Sequence, residues 1–227
     1  MPRASRSVVL FVSASLLGAH SATAQDPTVP VEQEPAHQTV FQNRYLQVFR
    51  VRLAPGQATL MHTHARDDAA VRLSVATTTT QDLGQPEGTA GTSAVGSVSA
   101  RNNERTPTTH RVRNVGTTQF DVMDVQALER PAGPEGPALV TPAAENPRMR
   151  VYRFELEPGE RSAEHTHTRP YLRVAATEID LETSEPGRAG RRDRLEVGAF
   201  EWVEARVVHT LTNAGNRKGI VVEFELR

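Results

Sequence analysis

The 227-residue chain contains no cysteine, which excludes disulfides, thiolate metal sites and cysteine nucleophiles. Its formal net charge of −1 at pH 7 gives no electrostatic argument for nucleic acid as a partner. Lys218 is the only lysine in the sequence, so almost all the positive charge is arginine, whose planar guanidinium suits carboxylates.

The first 24 residues have the pattern of a secretory signal peptide. Arg3 and Arg6 precede an apolar stretch at residues 8–17, and an A-x-A cleavage site ends at Ala24. We therefore predict that residues 1–24 are removed and that the protein works in the periplasm or outside the cell, without membrane association after cleavage. An uncleaved anchor or a buried helix is the alternative, although the apolar stretch is short for a bilayer.

The rest of the chain contains an internal repeat. Residues 43–56 align without gaps on residues 146–159, at an offset of 103. Further on, residues 110–116 match residues 209–215 at an offset of 99. The four-residue change in offset predicts that one hairpin loop is longer in the first copy.

Both copies of the repeat have the pattern of β-structure. Apolar and polar residues alternate at residues 46–53, 151–156 and 220–226, which is the period of half-buried strands. Each copy also carries a Pro-Gly turn signal, ending at Gly56 and at Gly159. No segment has a sustained helical period, so the predicted fold class is all-β.

A proline- and glycine-rich segment separates the two copies. It begins at Glu129 and ends at Pro137, and it contains three prolines and two glycines. We predict a linker at residues 129–141 between two β-barrels, one at residues 25–128 and the other at residues 142–227. Units of roughly 100 residues are large enough to have independent cores.

Six of the seven histidines that follow the signal segment occupy equivalent positions in the two copies, and His37 is the exception. Because residues i and i+2 of a strand face the same side, the two histidines of each H-x-H can point together into a barrel. A third histidine from another strand would complete a facial set around a cation and leave positions open for water or substrate. Alternatively, the histidines only form hydrogen bonds inside vestigial barrels. The predicted metal ligands are His62, His64 and His110 in the first copy and His165, His167 and His209 in the second.

These residues resemble the two motifs of the cupin superfamily, G-x5-H-x-H-x3–4-E-x6-G and G-x5-P-x-G-x2-H-x3-N. Five residues separate each H-x-H from its preceding glycine, Gly56 or Gly159. In the second copy, Gly198, His209 and Asn213 keep the spacing of the second motif. The resemblance covers nearly the whole mature chain. It implies two jelly-roll barrels in tandem and a divalent metal (Fe, Mn, Cu or Zn), among which imidazole ligands do not discriminate.

The sequence departs from the cupin pattern in both motifs. Gly96 lies three residues too far upstream of His110, and the glutamate of the first motif is replaced by Asp68 in the first copy and by Tyr171 in the second. When residues 71–73 are aligned on residues 172–174, Asp67 and Asp68 become two extra residues of the first copy. Asp68 is then either a metal ligand or part of a solvated loop. Since the second copy keeps the family spacing better, we expect it to carry the chemistry.

Three further side chains are predicted to face into the barrels. Strand parity continued from the histidines points Tyr171, Arg173 and Arg72 inward, and the same alignment makes the two arginines repeat equivalents. Arg173 would bind a carboxylate or enolate beside the metal, and Tyr171 would donate a hydrogen bond to a metal-bound oxygen, so both are candidate catalytic residues. A change of parity before these strands would instead send the arginines to solvent, and Tyr171 would serve packing.

These observations favour a metal-dependent, oxygenase-like enzyme that acts on a small carboxylate or enolisable molecule. The sequence lacks a G-x-S-x-G motif, a P-loop and a dinucleotide-binding fingerprint. Two alternatives stay open, since one fold serves many functions. One is a non-catalytic periplasmic module that binds or senses a metal or small ligand, and the other is an interaction protein that assembles as a homo-oligomer.

Overall fold

The computed structural model describes residues 27–138, 140–204 and 207–227. The predicted signal peptide, residues 1–24, lies outside this part of the chain. Within it, the secondary structure is almost entirely strand, and a single 3-10 turn, Val31–Gln33, is helical. The all-β prediction is therefore confirmed. No helix in the described residues is long and apolar enough to cross a membrane.

The N-terminal half forms two five-stranded sheets that face each other. Their orders are β1-β4-β9-β6-β7 and β2-β3-β10-β5-β8. The strands are β1 (Val29–Pro30), β2 (His37–Gln42), β3 (Leu46–Leu53), β4 (His62–His64), β5 (Asp68–Arg72), β6 (Ala76–Asp82), β7 (Gly91–Ser93), β8 (Val98–Arg101), β9 (Thr108–Asn114) and β10 (Phe120–Ala127).

The C-terminal half repeats this arrangement with one strand fewer. Its sheets have the orders β11-β12-β19-β14-β17 and β13-β18-β15-β16. The strands are β11 (Ala144–Glu145), β12 (Met149–Leu156), β13 (His165–His167), β14 (Tyr171–Ala175), β15 (Ile179–Ser184), β16 (Arg191–Leu195), β17 (Phe200–Val203), β18 (Val207–Asn213) and β19 (Gly219–Leu226). Two facing sheets in each half form the tandem jelly-roll barrels that the motifs predicted.

The largest apolar core lies between the two halves. One sheet of each half is apolar on both faces, because successive residues of its strands point to opposite sides. In β3, Val48 belongs to the core between the halves, whereas Phe49 belongs to the interior of its own barrel. The N-terminal half contributes Leu46, Val48, Ala69, Val71, Leu73, Met123, Val125 and Ala127 to the shared core, and the C-terminal half contributes Met149, Val151, Leu172, Val174, Ala176, Ile220, Val222, Phe224 and Leu226.

Strand register corrects the predicted alignment of the two copies. Asp68 pairs with Gln126, as Tyr171 pairs with Glu225, and Ala70 pairs with Asp124, as Arg173 pairs with Glu223. The offset of 103 therefore continues through β5 and β14. Asp68 is not an inserted residue, and the repeat equivalent of Arg173 is Ala70 rather than Arg72.

The difference in length between the copies lies in two loops. The hairpin that follows β6 accounts for one residue, because Thr78 pairs with Gly91 whereas Leu181 pairs with Asp193. Gly96 and Gly198 occupy equivalent turns, with φ of 75° and 79°. Gly96 donates its N–H to Arg72 at the end of β5, and Gly198 donates to Ala175 at the end of β14. The other three residues consequently lie between β8 and β9, which explains the wide spacing from Gly96 to the following motif histidine.

Candidate metal centres

The three predicted histidines of the C-terminal barrel converge with a carboxylate that sequence reasoning missed. His165 on β13 pairs in register with His209 on β18, and His167 points to the same side two residues further on. Glu223 enters from β19 in the opposite sheet. One ligand atom of each of these residues lies within 4.8 Å of the others, and all four side chains are almost completely buried.

The distances in this C-terminal cluster fit ligands of a shared cation. Oε2 of Glu223 lies 3.1 Å from Nε2 of His165 and 2.9 Å from Nε2 of His167, and Oε1 lies 3.3 Å from Nε2 of His209. Two donors that are each about 2.1 Å from one ion, at the angles of tetrahedral or octahedral coordination, are separated by roughly 3.0–3.4 Å. The donor set suits a divalent metal ion.

The N-terminal barrel brings four histidines together. His62 on β4 pairs with His110 on β9, and Nε2 of His62 lies 3.1 Å from Nε2 of His64. His37, on β2, is the histidine outside the repeat, and its ring centroid lies 4.6 Å from that of His62. Ligand nitrogens of His37, His62 and His64 lie within 4.8 Å of one another. The His110 ring packs beside them, 4.7 Å from His62 and 5.2 Å from His64 between centroids.

Hydrogen bonds at Nδ1 turn the Nε2 atoms of His62 and His165 toward the other members of their clusters. Nδ1 of His62 lies 2.9 Å from the carbonyl oxygen of Leu60, and Nδ1 of His165 lies 3.0 Å from that of Ala163. A carbonyl only accepts, so Nδ1 carries the proton in both rings and a neutral ring presents a lone pair at Nε2. Histidines that bind metals show this arrangement.

A carboxylate orients the second histidine of each H-x-H, but it comes from a different strand in each barrel. Nδ1 of His64 lies 2.8 Å from Oδ2 of Asp68 on β5, and Nδ1 of His167 lies 3.4 Å from Oε1 of Glu225 on β19. Each carboxylate is one member of an equivalent cross-strand pair, Asp68 with Gln126 and Tyr171 with Glu225. Asp68 is buried, so it is not in a solvated loop, and it lies on the Nδ1 side of His64.

Burial keeps two of the N-terminal histidines, His62 and His110, in the neutral form that binds metals. At His64 burial acts in the same direction, but the hydrogen bond to Asp68 and the charges of Asp124 and Asp68 outweigh it and raise the pKa. Burial lowers the pKa of His62 to about 4 and that of His110 to about 2. Both rings are therefore neutral at pH 7, as metal coordination requires. Burial also raises the pKa of Asp124 to about 6, and the charge of Asp68 adds to this effect. One oxygen of Asp124, Oδ1, is buried without a hydrogen-bond partner.

In the C-terminal cluster, ion pairs outweigh burial at Glu223 and His167, whereas burial lowers the pKa of His209. Burial opposes the charge on Glu223, but the Arg173 guanidinium and the three imidazoles hold the pKa of this carboxyl well below its usual range. Burial alone would also lower the pKa of His167, whereas hydrogen bonds to Glu223 and Glu225 raise it to about 9. The cluster is thus a network of paired charges.

The predicted catalytic residues of the C-terminal barrel take part in this network. Nε of Arg173 donates to Oε1 of Glu223 at 2.9 Å, and its Nη2 donates to the hydroxyl of Tyr171 at 3.1 Å. The Tyr171 ring stacks on His167 with centroids 3.9 Å apart, and burial raises the pKa of its phenol. Both side chains face inward as predicted, and their catalytic role stays a prediction.

The cavities of the two barrels reach different residues. A cavity of about 310 Å³ in the C-terminal barrel is lined by Tyr171 and Arg173, but by none of the three cluster histidines. A smaller cavity of about 50 Å³ in the N-terminal barrel is lined by all four of its histidines and by Asp124, Ala70, Arg72 and Arg101. Of these two cavities, therefore, only the N-terminal one lets a solute contact the histidines directly.

Four polar residues of these clusters escaped the sequence analysis: His37, Asp124, Glu223 and Glu225. The offset of 99, which relates His110 to His209, also places Asp124 on Glu223 and could have identified that pair. No pattern in the sequence places His37 beside His62, because this contact depends on how β2 folds over the barrel.

No protein-family model matches the chain, and no curated protein matches it in sequence. Solved structures share its fold. AerE from Microcystis aeruginosa has a TM-score of 0.53 at 10% identity, covering 86% of this chain and 98% of that one. Salicylate 1,2-dioxygenase from Pseudoaminobacter salicylatoxidans, in a structure of its adducts with gentisate, has a TM-score of 0.52 at 11% identity, covering 82% and 70%. A conserved protein of unknown function from Pseudomonas aeruginosa has a TM-score of 0.52 at 12% identity, covering 85% and 87%. These likenesses establish the fold as cupin-type, in two tandem barrels.

Proposed function

We propose that this protein is a metal-dependent, oxygenase-like enzyme whose N-terminal barrel holds a divalent transition metal and acts on a small carboxylate or enolisable molecule. The observation that carries this proposal is the N-terminal cavity, which contacts both His62 and His64 and also reaches Arg72 and Arg101. The proposal differs from the expectation based on motif spacing, which favoured the C-terminal barrel. We choose the N-terminal barrel because a substrate in its cavity can reach the histidines.

The histidines of the N-terminal barrel would hold the metal. His62 and His64 present Nε2 atoms 3.1 Å apart, and His37 and His110 are the candidates for a third imidazole. Two neutral Nε2 lone pairs at this distance repel each other unless a proton or a metal ion lies between them. When bound, a metal in such a site polarises a coordinated oxygen as a Lewis acid or supports reaction with dioxygen.

Two arginines would bind the substrate carboxylate. Arg72 packs its guanidinium over the Phe120 ring, 4.6 Å from the centroid, and burial together with the charge of Arg101 lowers its pKa to about 10. Among the described residues, no carboxylate forms an ion pair with either arginine. Asp124 is the only carboxylate among the described residues that line this cavity, so the two arginines leave the lining with a net positive charge that favours an anionic ligand, and a guanidinium binds a carboxylate with two hydrogen bonds.

Asp124 would accept a proton from an enolisable substrate. Its unpartnered Oδ1 atom is buried, and the residue lines the same cavity. A carboxyl with a pKa of about 6 is a stronger base than an ordinary aspartate and is still ionised at pH 7. The cavity thus combines a metal-ligand set, an anion-binding pair and a base.

The fold supports the reaction class by analogy. Salicylate is a small aromatic carboxylate, and the dioxygenase named for it shares the two-barrel fold. We also propose, from the signal-peptide pattern, that the protein is exported to the periplasm or beyond the cell. We propose further that it binds a small molecule and that it assembles as a homo-oligomer.

The test combines metal content with turnover. Mature protein loaded with Fe²⁺, Mn²⁺, Cu²⁺ or Zn²⁺ would be assayed for oxygen consumption with a panel of hydroxybenzoates and enolisable acids. We expect His62→Ala to abolish turnover and to remove the bound metal, and the matched variant His165→Ala in the other barrel to retain both. Metal bound at His62 without turnover on any substrate would refute the enzymatic proposal, and turnover that is lost only in His165→Ala would refute the choice of barrel.

A non-catalytic module that binds or senses a metal is the second candidate. The observation that favours it is the size of the N-terminal cavity, about 50 Å³, since sites for small organic molecules usually span about 300–1,000 Å³. This candidate predicts tight metal binding, no oxygen consumption and no effect of carboxylates on metal affinity.

A further inference from the structure

The two barrels differ at one position beside their histidine clusters. Ala70 lies opposite Asp124 in the N-terminal barrel, and its equivalent Arg173 lies opposite Glu223 in the C-terminal barrel. The methyl group of Ala70 lines the cavity together with the histidines, whereas the Arg173 side chain contacts both its cluster and its cavity. The side chain at this position therefore controls access to the histidines.

Arg173 already neutralises the C-terminal cluster. Its Nε donates to Glu223 at 2.9 Å, and its Nη2 lies 3.4 Å from Nε2 of His209. Three more hydrogen bonds hold the guanidinium in place, from Nη2 to Tyr171 at 3.1 Å and from Nη1 to Thr183 at 3.2 Å and to Glu201 at 3.4 Å. An arginine does not lose its proton in a protein, so this positive charge is permanent.

We infer that Arg173 is a built-in cation that takes the electrostatic place of a metal ion in the C-terminal barrel and disfavours metal binding there. The ligand geometry itself suits a metal, but an ion bound to the cluster would lie beside a guanidinium that is 3% exposed, with little water to screen the repulsion. Glu223 then serves as the counter-ion of Arg173. This inference adds to the proposed function, in which the N-terminal barrel is the working metal site.

Zinc stoichiometry tests the inference without an activity assay. Mature, metal-free protein would be dialysed against Zn²⁺, and bound zinc per folded chain would be measured by elemental analysis. We expect about one zinc in the wild type and about two in Arg173→Met, which removes the charge but keeps much of the volume. The matched control is Arg188→Met, because Arg188 lines the same cavity but pairs with Glu185 at the surface, and it should stay at one.

The reciprocal change adds the cation to the other barrel. In Ala70→Arg the new guanidinium faces Asp124, as Arg173 faces Glu223, and we expect zinc binding by the N-terminal barrel to weaken at least tenfold. Should Arg173→Met fail to fold by circular dichroism, His165→Ala replaces it, and its zinc content should equal that of the wild type. A loss of zinc in His165→Ala, or an unchanged content in folded Arg173→Met, would overturn the inference.

A double variant separates failure of this inference from failure of the proposed function. His62→Ala combined with Arg173→Met should bind one zinc, in the C-terminal barrel alone. If the wild type binds none and Arg173→Met binds one, the inference holds and the proposed N-terminal metal site is wrong. If the wild type binds one and the double variant binds none, the N-terminal site holds and the role of Arg173 is wrong.

Discussion

At the scale of single residues, the two barrels reach the same chemistry with different side chains. The second histidine of each H-x-H has a carboxylate at Nδ1, supplied by Asp68 in one barrel and by Glu225 in the other. In each barrel these two positions form a cross-strand pair, Asp68 with Gln126 and Tyr171 with Glu225. Either member of the pair can therefore place a carboxylate beside the second histidine. Tyr171 occupies the position equivalent to Asp68, so the carboxylate of the C-terminal barrel comes from the neighbouring strand instead.

Replacing Asp68 distinguishes an orienting carboxylate from a direct metal ligand. In Asp68→Asn, we expect zinc affinity to fall by about 10–100-fold while the stoichiometry at saturation is unchanged, because the substitution alters the partner of His64 Nδ1 and the acceptor of Asn103 but removes no ligand nitrogen. Isothermal titration calorimetry with Zn²⁺ measures both quantities, and the exposed Asp82→Asn is the control. A loss of stoichiometry would show that Asp68 binds the metal itself.

The buried histidines should make the stability of metal-free protein peak near pH 6.5. The pKa values of His62 and His110 fall from about 6.5 in the unfolded chain to about 4 and about 2 in the folded chain. The unfolded chain therefore binds more protons below pH 6.5, and stability decreases as the pH falls from 6.5 to 4. Each such histidine contributes about 1.4 kcal/mol per pH unit, partly offset by Asp124, whose raised pKa acts in the opposite direction below pH 6.

The alkaline side of this profile depends on His167. Its folded pKa of about 9 lies above the unfolded value, so its contribution is complete below pH 6.5 and is lost between pH 6.5 and 9. Urea unfolding at half-unit steps from pH 4 to 9 measures the profile. A free energy of unfolding that stays flat from pH 4.5 to 6.5 would contradict the buried, neutral state of His62 and His110.

At the scale of elements, the asparagine of the second motif closes each barrel. Asn114 Nδ2 donates to the carbonyl oxygens of Leu53 and Thr118, at 2.9 and 2.8 Å, and its Oδ1 accepts from the N–H of Gly116 at 3.0 Å. Asn213 makes the equivalent set of bonds in the other barrel. The motif asparagine therefore joins the end of the histidine strand to a turn and to the opposite sheet, and it does not contact the metal ligands.

Loss of this asparagine should affect folding and leave the metal ligands in place. Asn114→Ala leaves the carbonyl oxygens of Leu53 and Thr118 without their asparagine partner, whereas the Gly116 N–H keeps the carbonyl oxygen of Thr77 at 3.0 Å. Each buried unsatisfied group costs about 1–3 kcal/mol. We expect the free energy of unfolding to fall by about 3 kcal/mol or more, as measured by urea titration, while zinc per folded chain stays unchanged. A variant of wild-type stability that lost zinc would instead make Asn114 part of the metal site.

At the scale of the whole molecule, the two barrels share one core. Phe224 is fully buried in the apolar cluster to which both halves contribute. Asn146 adds hydrogen bonds between the halves, from its Nδ2 to the carbonyl oxygens of Asp68 and Arg101 at 2.8 and 3.0 Å. The sheet that carries Asp68 and Asp124 toward one metal centre thus rests on the sheet that carries Arg173 and Glu223 toward the other.

A cavity in this shared core should destabilise both barrels together. Phe224→Ala is expected to lower the free energy of unfolding by about 3–5 kcal/mol. Differential scanning calorimetry should show one transition at lower temperature, because each half loses packing. The exposed Val75→Ala should change the free energy by less than about 0.5 kcal/mol. Two separate transitions in Phe224→Ala, only one of them shifted, would show that the halves unfold independently.

The sequence by itself determined the all-β class, the repeat and the convergence of each H-x-H with a histidine from another strand. These features follow from local rules, since alternation predicts strands and an i, i+2 spacing places two side chains on one face. The repeat strengthened the prediction, because the same histidine pattern occurs independently in both copies.

Tertiary structure decided what surrounds those histidines. Glu223, Glu225 and Asp124 lie on last strands whose alternation reads as ordinary core, and only the pairing of these strands with β14 and β5 places the acids beside the imidazoles. The same pairing makes Ala70 the repeat equivalent of Arg173. Alignment of similar residues in the sequence had instead given Arg72 as that equivalent. Register between strands is set by packing over the whole barrel, so one chain's sequence does not reveal which of its clusters a substrate can reach.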